Sequence, residues 1–258
     1  MGAVVSQNPN NLRLTVIGCS GTYSSADAAC SSYLVRTNTT SVLLDAGPGS
    51  SMELQRHIDL AAIDAIVVSH EHPDHWTELP SLYHAYRWGL GDMKMPVYGT
   101  AGTKRVLDGA WEYATTETFE WTTIEPSSTL QIGDLAFTFS ETDHPVETLA
   151  MRVESGGVAV AYSADTGPDW SPADFGAPID LMVYETTLPV DLEGAEIPHV
   201  SGREAAIRAK AAGVGSLVLT HVPPGLDPTE RMHAARGEFD GPIDLAVPGR
   251  TYTPDPSA

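Results

Sequence analysis

Hydrophobic and polar positions divide the chain into short apolar runs separated by small or polar residues. Leu12-Arg13-Leu14-Thr15-Val16-Ile17-Gly18 alternates with the period of a strand and leads into the small-residue loop CSGTYSSADAAC. Tyr33 to Arg36 and Val42 to Asp45 read as the next strands, and Gly47-Pro48-Gly49 breaks the chain before a short helix over Ser51 to His57. Ala65 to Ser69 reads as a buried strand. A helix is predicted from Trp76 to Trp88, because Leu79, Tyr83, Tyr86 and Leu90 fall on one helical stripe. Ala101 to Thr118, with Trp111 and Tyr113, reads as a covering helix that adds to a pocket or to a homodimer contact. Leu135 to Ser140, Leu149 to Val153, Val158 to Ser163, Leu181 to Tyr184 and Leu217 to Thr220 are further strands, and Ile243 to Val247 is the last. Ser201 to Ala212 is the clearest helix: Ser201 caps it, Glu204 completes a capping box, and Gly213 ends it. Strands early in each half with helices between them predict sheet layers covered by helices, each half supplying one sheet of a single domain over residues 1–258.

Composition changes this picture little. Of 258 residues, 42% are hydrophobic and 19% charged, ordinary for a soluble globular protein. No apolar run approaches the ~20 residues of a membrane span. The segment MGAVVSQNPNNLRL lacks a basic region followed by an apolar one, so a cytoplasmic location is expected. Cys19 and Cys30 read as reduced thiols. Charge says more: 34 Asp and Glu stand against 14 Lys and Arg, a formal charge of −20. With no basic run present, a nucleic-acid backbone is a poor match for this surface.

The candidate chemistry sits at the strand ends. Asp45 follows VLL, and His70, His72, Asp74 and His75 follow AIVVS in the stretch SHEHPDHW. His144 follows a Phe-Thr-Phe strand in TDHPVE, Asp165 follows VAVAYSA in ADTGP, and His221 follows SLVLT in THVPP. Polar side chains at the ends of neighbouring strands converge on one edge of a sheet, where sites are commonly built. Imidazoles and carboxylates in this number suit two divalent ions, zinc first and manganese as the alternative. A hydroxide held between two such ions ~3.5–4 Å apart is a nucleophile near neutral pH. His57, His84 and His233 stand alone and read as structural histidines.

These motifs resemble the metallo-β-lactamase superfamily, and the match spans nearly the whole chain. The resemblance implies an α/β fold, a four-layer αββα sandwich with a dinuclear metal site between the two sheets. It implies that His70, His72 and His144 hold one metal, that Asp74, His75 and His221 hold the other, that Asp165 bridges, and that Asp45 orients a ligand histidine. The dinuclear zinc β-lactamases usually carry a cysteine where Asp165 stands, and flavodiiron proteins carry a glutamate at the position of His72. The persulfide dioxygenases, with one iron, are harder to set apart.

The segments GCSGT, SSYLV, LLDAGPGS, SHEHPDH and PHVSGREAA resemble the ribonuclease Z branch, and with HPVE, DTGP, HVSGREA and THVPP the chain resembles more closely the actinobacterial cyclic-nucleotide phosphodiesterase-like members of the superfamily. That resemblance implies a small phosphodiester substrate such as a cyclic nucleotide. His199, just before the capped helix, would protonate the leaving oxygen or stabilise the transition-state phosphate, Glu185 would orient His199, and Asp74 would orient the attacking hydroxide. Ribonuclease Z clamps tRNA with a long basic arm between the third and fourth metal motifs. Here His144 and Asp165 lie 21 positions apart across two predicted strands, and tRNA is not expected as a partner. A lactone or thioester hydrolase in the same site is the alternative activity. A metal-binding module without catalysis is a third reading, against which His199 outside the metal shell argues. Trp76, Tyr83 and Trp88 either stack on a base or belong to the core.

Overall fold

The computed structural model describes residues 8–111 and 117–255. Two mixed sheets carry the architecture. Along the chain, the first sheet takes β1 (Arg13–Ser20), β2 (Ala29–Cys30), β3 (Ser32–Arg36), β4 (Ser41–Leu44), β5 (Ala65–Val68), β6 (Met95–Gly99) and β7 (Phe119–Thr123). The second takes β8 (Thr129–Ile132), β9 (Leu135–Glu141), β10 (Leu149–Ser155), β11 (Val158–Tyr162), β12 (Leu181–Glu185), β13 (Ser216–Thr220) and β14 (Ile243–Leu245). The final strand is therefore not Ile243 to Val247. β15 (Thr251–Tyr252) returns to the first sheet and pairs antiparallel with β1.

Each sheet begins with antiparallel hairpins and ends with parallel strands. In the first, β1, β3 and β4 are antiparallel neighbours and β4 to β7 run parallel. In the second, β8 to β11 are antiparallel and β11 to β14 parallel. All parallel strands within a sheet point their carboxyl ends the same way, which is why ligand-type residues placed after several of them meet.

The strands β5 and β11 are buried at every position, as expected where a sheet is covered on both faces. Alternation within them sorts the side chains into two layers. Val42, Leu44, Ala65 and Val67 face the second sheet and pack with Phe137, Met151, Val160 and Val183. Leu43, Ile66 and Val68 face outward, under helices that contribute Leu54, Leu79 and Leu107. On the far side, Ala161, Met182, Leu217 and Leu219 are covered by Ala205, Ala206 and Ala209. The result is the αββα order of layers.

The helices are α1 (Ser50–Leu54), α2 (Pro73–Trp76), α3 (Leu79–His84), α4 (Ala101–Ala110), α5 (Gly202–Ala211) and α6 (Pro228–Arg236). The single helix expected over Trp76 to Trp88 is broken after Trp76. Pro80 sits in the first turn of α3, which passes into a wider turn over Ala85–Gly89 where the Leu90 amide reaches back to the Ala85 carbonyl at 2.8 Å. The expected helix over 101–118 ends at Ala110, and Tyr113 lies outside the described residues. The capping box of α5 forms as read, with the Ser201 hydroxyl accepting from the Glu204 amide at 3.1 Å. No helix among the described residues is long and apolar enough to cross a membrane.

Candidate metal centre

The residues singled out at strand ends come together at one edge between the sheets. One ligand-type atom from each of His70, His72, His144 and Asp165 lies within 4.8 Å of the others, and the same holds for Asp74, His75 and His221. Asp165 stands between these groups: Oδ2 is 3.7 Å from His70 Nε2, while Oδ1 is 3.3 Å from His75 Nε2 and 3.4 Å from His221 Nε2. Asp74 and His75 are carried by α2, not by an irregular loop, and Pro73 at its first turn starts that helix. His57, His84 and His233 lie apart from these groups. His57 pairs with Glu53 inside the α1 region, and His84 stacks on Trp111.

The backbone turns sharply where the ligands leave the strands. Asp45 (φ 55°), Ala164 (φ 52°) and His221 (φ 60°) all adopt the left-handed conformation that non-glycine residues avoid. Close approach is secured by two glycines. A Cβ at Gly21 would stand 2.6 Å from the His221 carbonyl oxygen, and one at Gly47 would collide with the Asp74 carbonyl.

Four of the imidazoles, those of His70, His75, His144 and His221, are held from behind. Asp45, fully buried, accepts from His75 Nδ1 at 2.7 Å, from the Ser69 amide at 2.7 Å and hydroxyl at 2.9 Å, and from the Tyr162 hydroxyl at 2.9 Å. The Ser69 hydroxyl in turn accepts from His70 Nδ1 at 2.9 Å. His144 Nδ1 donates to the Pro198 carbonyl at 3.2 Å, and His221 Nδ1 to the Thr187 hydroxyl at 2.8 Å. With those protons committed, the opposite nitrogens of four histidines present lone pairs to the cluster. His72 Nδ1 faces His144 Nε2 at 3.0 Å.

Such an arrangement fits divalent cations. His70 Nε2, His75 Nε2 and Asp165 Oδ1 are buried and have no hydrogen-bond partner. A nitrogen lone pair 3.3 Å from a carboxylate oxygen is repulsive unless positive charge lies between them. The donor set of imidazole nitrogen and carboxylate oxygen suits zinc and similar ions. Electrostatics run the same way. Burial, helped by the neighbouring His75, holds His70 well below the ordinary imidazole value and therefore neutral. Burial opposes charge on both Asp165 and His75, yet the facing His221 and His75 hold the Asp165 carboxyl well below the usual range while Asp165 and Asp45 hold His75 well above the ordinary imidazole value, so the pair calls for positive charge between them, from a proton or from a cation in its place.

His199 stands at the edge of the cluster, with a ring nitrogen within 4.8 Å of atoms of Asp165 and His221. Its Nδ1 donates to Glu185 Oε1 at 2.7 Å, and Glu185 is fully buried. Burial alone would lower the His199 value, but the Glu185 charge and hydrogen bond raise it to about 9. Asp74 Oδ2 accepts from the Thr22 amide at 2.8 Å. The sequence reading missed Ser69, Tyr162, Thr22 and Thr187. Ser69 directly precedes a candidate ligand and Thr187 follows Glu185 by two positions, but hydroxyl residues are too common for that to single them out. Trp76 and Tyr83 are buried in the helix-covered core, and Trp88, 72% exposed, carries Arg87 over its ring. The core alternative therefore holds for the first two.

Comparison with known proteins gives a consistent result. Residues 40–222 match the model of a family described as the beta-lactamase superfamily domain. A Bacillus subtilis protein named "Probable metallo-hydrolase YhfI" is 32% identical over 243 residues, covering 92% of this chain and 98% of that one. A Mycobacterium bovis ribonuclease Z is 29% identical over 271 residues, covering 91% and 95%. The crystal structure of the metallo-beta-lactamase fold protein YhfI superposes with a TM-score of 0.85 at 29% identity, over 93% of this chain and 98% of that one.

Proposed function

Since this chain belongs to the metallo-β-lactamase superfamily and is a metal-dependent hydrolase, we propose that it hydrolyses a small phosphodiester, such as a cyclic nucleotide, at the cluster shared by Asp165. The single observation that carries this reading is the pair of donor groups joined through Asp165, with His199 held beside them by Glu185. His70, His72 and His144 would hold one divalent ion, Asp74, His75 and His221 a second, and Asp165 both. When bound, two such ions neutralise charge on phosphoryl oxygens and make water acidic enough to react near neutral pH.

The chain's own residues do the rest. Asp74, fixed by the Thr22 amide, accepts a hydrogen bond from the attacking water and aims it. His199 donates its proton to the leaving oxygen, and the buried Glu185 fixes the ring that does so. Asp45 keeps His75, and through Ser69 also His70, turned toward the cluster.

A small substrate is favoured over a polyanion. Arg105 beside the cluster is bound by both oxygens of Glu71, at 3.0 and 2.8 Å, and Arg203 near His199 is paired with Glu193. Neither is left to neutralise further phosphates. The stretch between His144 and Asp165 is the β10–β11 hairpin, which leaves no place there for a tRNA-clamping arm. The relative named ribonuclease Z supports phosphodiester cleavage as the reaction type.

The test is turnover of cAMP, cGMP, bis-p-nitrophenyl phosphate and a panel of p-nitrophenyl esters, lactones and thioesters by one zinc-loaded sample. Phosphodiesters are expected to exceed carbonyl substrates in kcat/KM by at least about 100-fold, some 2.7 kcal/mol of transition-state preference. The reverse order would make the protein a carbonyl-bond hydrolase.

A further inference from the structure

Two buried carboxylates occupy matching places in the two sheets. Asp45 follows β4 and Glu185 ends β12, and neither is exposed. Asp45 holds one imidazole directly, His75 at 2.7 Å, and a second, His70, through the Ser69 hydroxyl. Glu185 repeats the device. Its Oε1 accepts from His199 Nδ1 at 2.7 Å, and its Oε2 accepts from the Thr187 hydroxyl at 2.7 Å, which faces His221 Nδ1 at 2.8 Å.

We propose that Thr187 is a positioning residue for His221, and that through it Glu185 governs a metal ligand as well as the leaving-group histidine. The proton count supports this assignment. A threonine hydroxyl has one proton, and here it goes to a carboxylate that can only accept. Its oxygen is then left to accept, so His221 Nδ1 must carry the hydrogen and Nε2 must present its lone pair. That lone pair faces Asp74 Oδ2 at 3.2 Å and Asp165 Oδ1 at 3.4 Å. The hydroxyl itself cannot drift. The Thr187 amide donates to Glu185 Oε2 at 2.9 Å, and the buried Arg231 donates to the Thr187 carbonyl at 2.9 Å and to the Thr186 carbonyl at 3.2 Å. Glu185 is fixed in turn by the Thr166 amide at 3.0 Å. Tautomer and ring angle of His221 therefore follow from Thr187 and not from His221 itself.

The inference rests on the reading of His221 as a metal ligand, and the experiment separates the two. Zinc is titrated calorimetrically, in competition with a chelator, into the metal-free full chain and into Thr187→Val and Thr187→Ser. Valine keeps the shape and removes the hydroxyl, whereas serine keeps the hydroxyl. The unaltered protein is expected to bind two ions, Thr187→Val to bind one of them about 10–100-fold more weakly, and Thr187→Ser to regain most of the loss. Equal affinities in the unaltered protein and Thr187→Val would overturn the inference alone, and so would a serine variant as weak as valine. A uniform loss at both ions, accompanied by a lower melting temperature of the metal-free valine variant, would assign Thr187 to stability instead. An unaltered chain that takes up no zinc would remove the metal reading and this one with it.

Discussion

His72, Asp74 and His75 sit within four positions of one another, yet at the scale of the residue their side chains serve different neighbours. His75 is pinned by Asp45 and faces Asp165, Asp74 is fixed by the Thr22 amide and faces His221, and His72 meets His144 from the other sheet. Adjacent residues on one turn leave in different directions, so a compact motif can feed two ion positions. His199, held by Glu185, stands at the cluster's edge with 19% of its side chain exposed and a ring nitrogen within 4.8 Å of atoms of Asp165 and His221. Replacing His199 with Ala is expected to lower kcat about 10²–10⁴-fold while zinc content stays as in the unaltered protein. Turnover that survives the change would sink its assignment as the proton donor. The residue types were legible in the sequence here because imidazoles and carboxylates, both ordinary donors to divalent ions, crowd the strand ends. Their backing partners were not, since Ser69 and Thr187 act through one oxygen each.

Elements explain why the cluster lies at one end of the sandwich and a clasp at the other. β4 runs from Ser41 toward Asp45, so the turn before it, residues 37–40, is at the far end. There the Thr37 hydroxyl donates to Asp134 Oδ1 at 2.7 Å, tying the β8–β9 turn of one sheet to the β3–β4 turn of the other, and the Ser155 hydroxyl of β10 steadies that turn by donating to the Asp134 carbonyl at 2.7 Å. Burial pushes the Asp134 carboxyl up, but hydrogen bonds to Thr40 and Thr37 outweigh it and hold it below the usual range. A depressed carboxyl adds stability above its unfolded value of about 3.9, and that addition is lost as pH falls through the folded value. Thermal melts from pH 3 to 6 should thus show the unaltered protein gaining on Asp134→Asn as pH rises. A constant gap between the two would refute the link. Strands buried on both faces were readable as apolar runs, whereas β6 (MPVYG) and β7 (FEWTT) were not, because Pro96 and the exposed, polar positions of β7 break the pattern at the sheet edge. The break between α2 and α3 escaped for a related reason. Periodicity across residues 76–88 persists even though the backbone ladder does not.

For the whole molecule, the two sheets share the site. His70, His72, Asp74 and His75 follow β5 of the first, while His144, Asp165 and His221 follow β9, β11 and β13 of the second. Any ion bound to both sets ties the layers together and stabilises the folded state by mass action. Stripping the protein with a chelator is expected to abolish hydrolysis and lower the melting temperature on the order of 5–10 °C, the shift that ~2.7 kcal/mol produces at this size. Zinc added back should restore both, and a melting curve indifferent to the chelator would contradict a site that bridges the sheets. The sequence by itself determined the covered strands and the ligand types at their ends, since a doubly covered strand must be apolar on both faces and a cation needs nitrogen and oxygen donors. Only the tertiary structure decided which nitrogen of each histidine faces inward and which carboxylate holds it. The Tyr162 hydroxyl reaches Asp45 across 117 positions, and β15 crosses back to the first sheet. Such contacts depend on three-dimensional distance and hydrogen-bond direction, which leave no periodic trace along a chain.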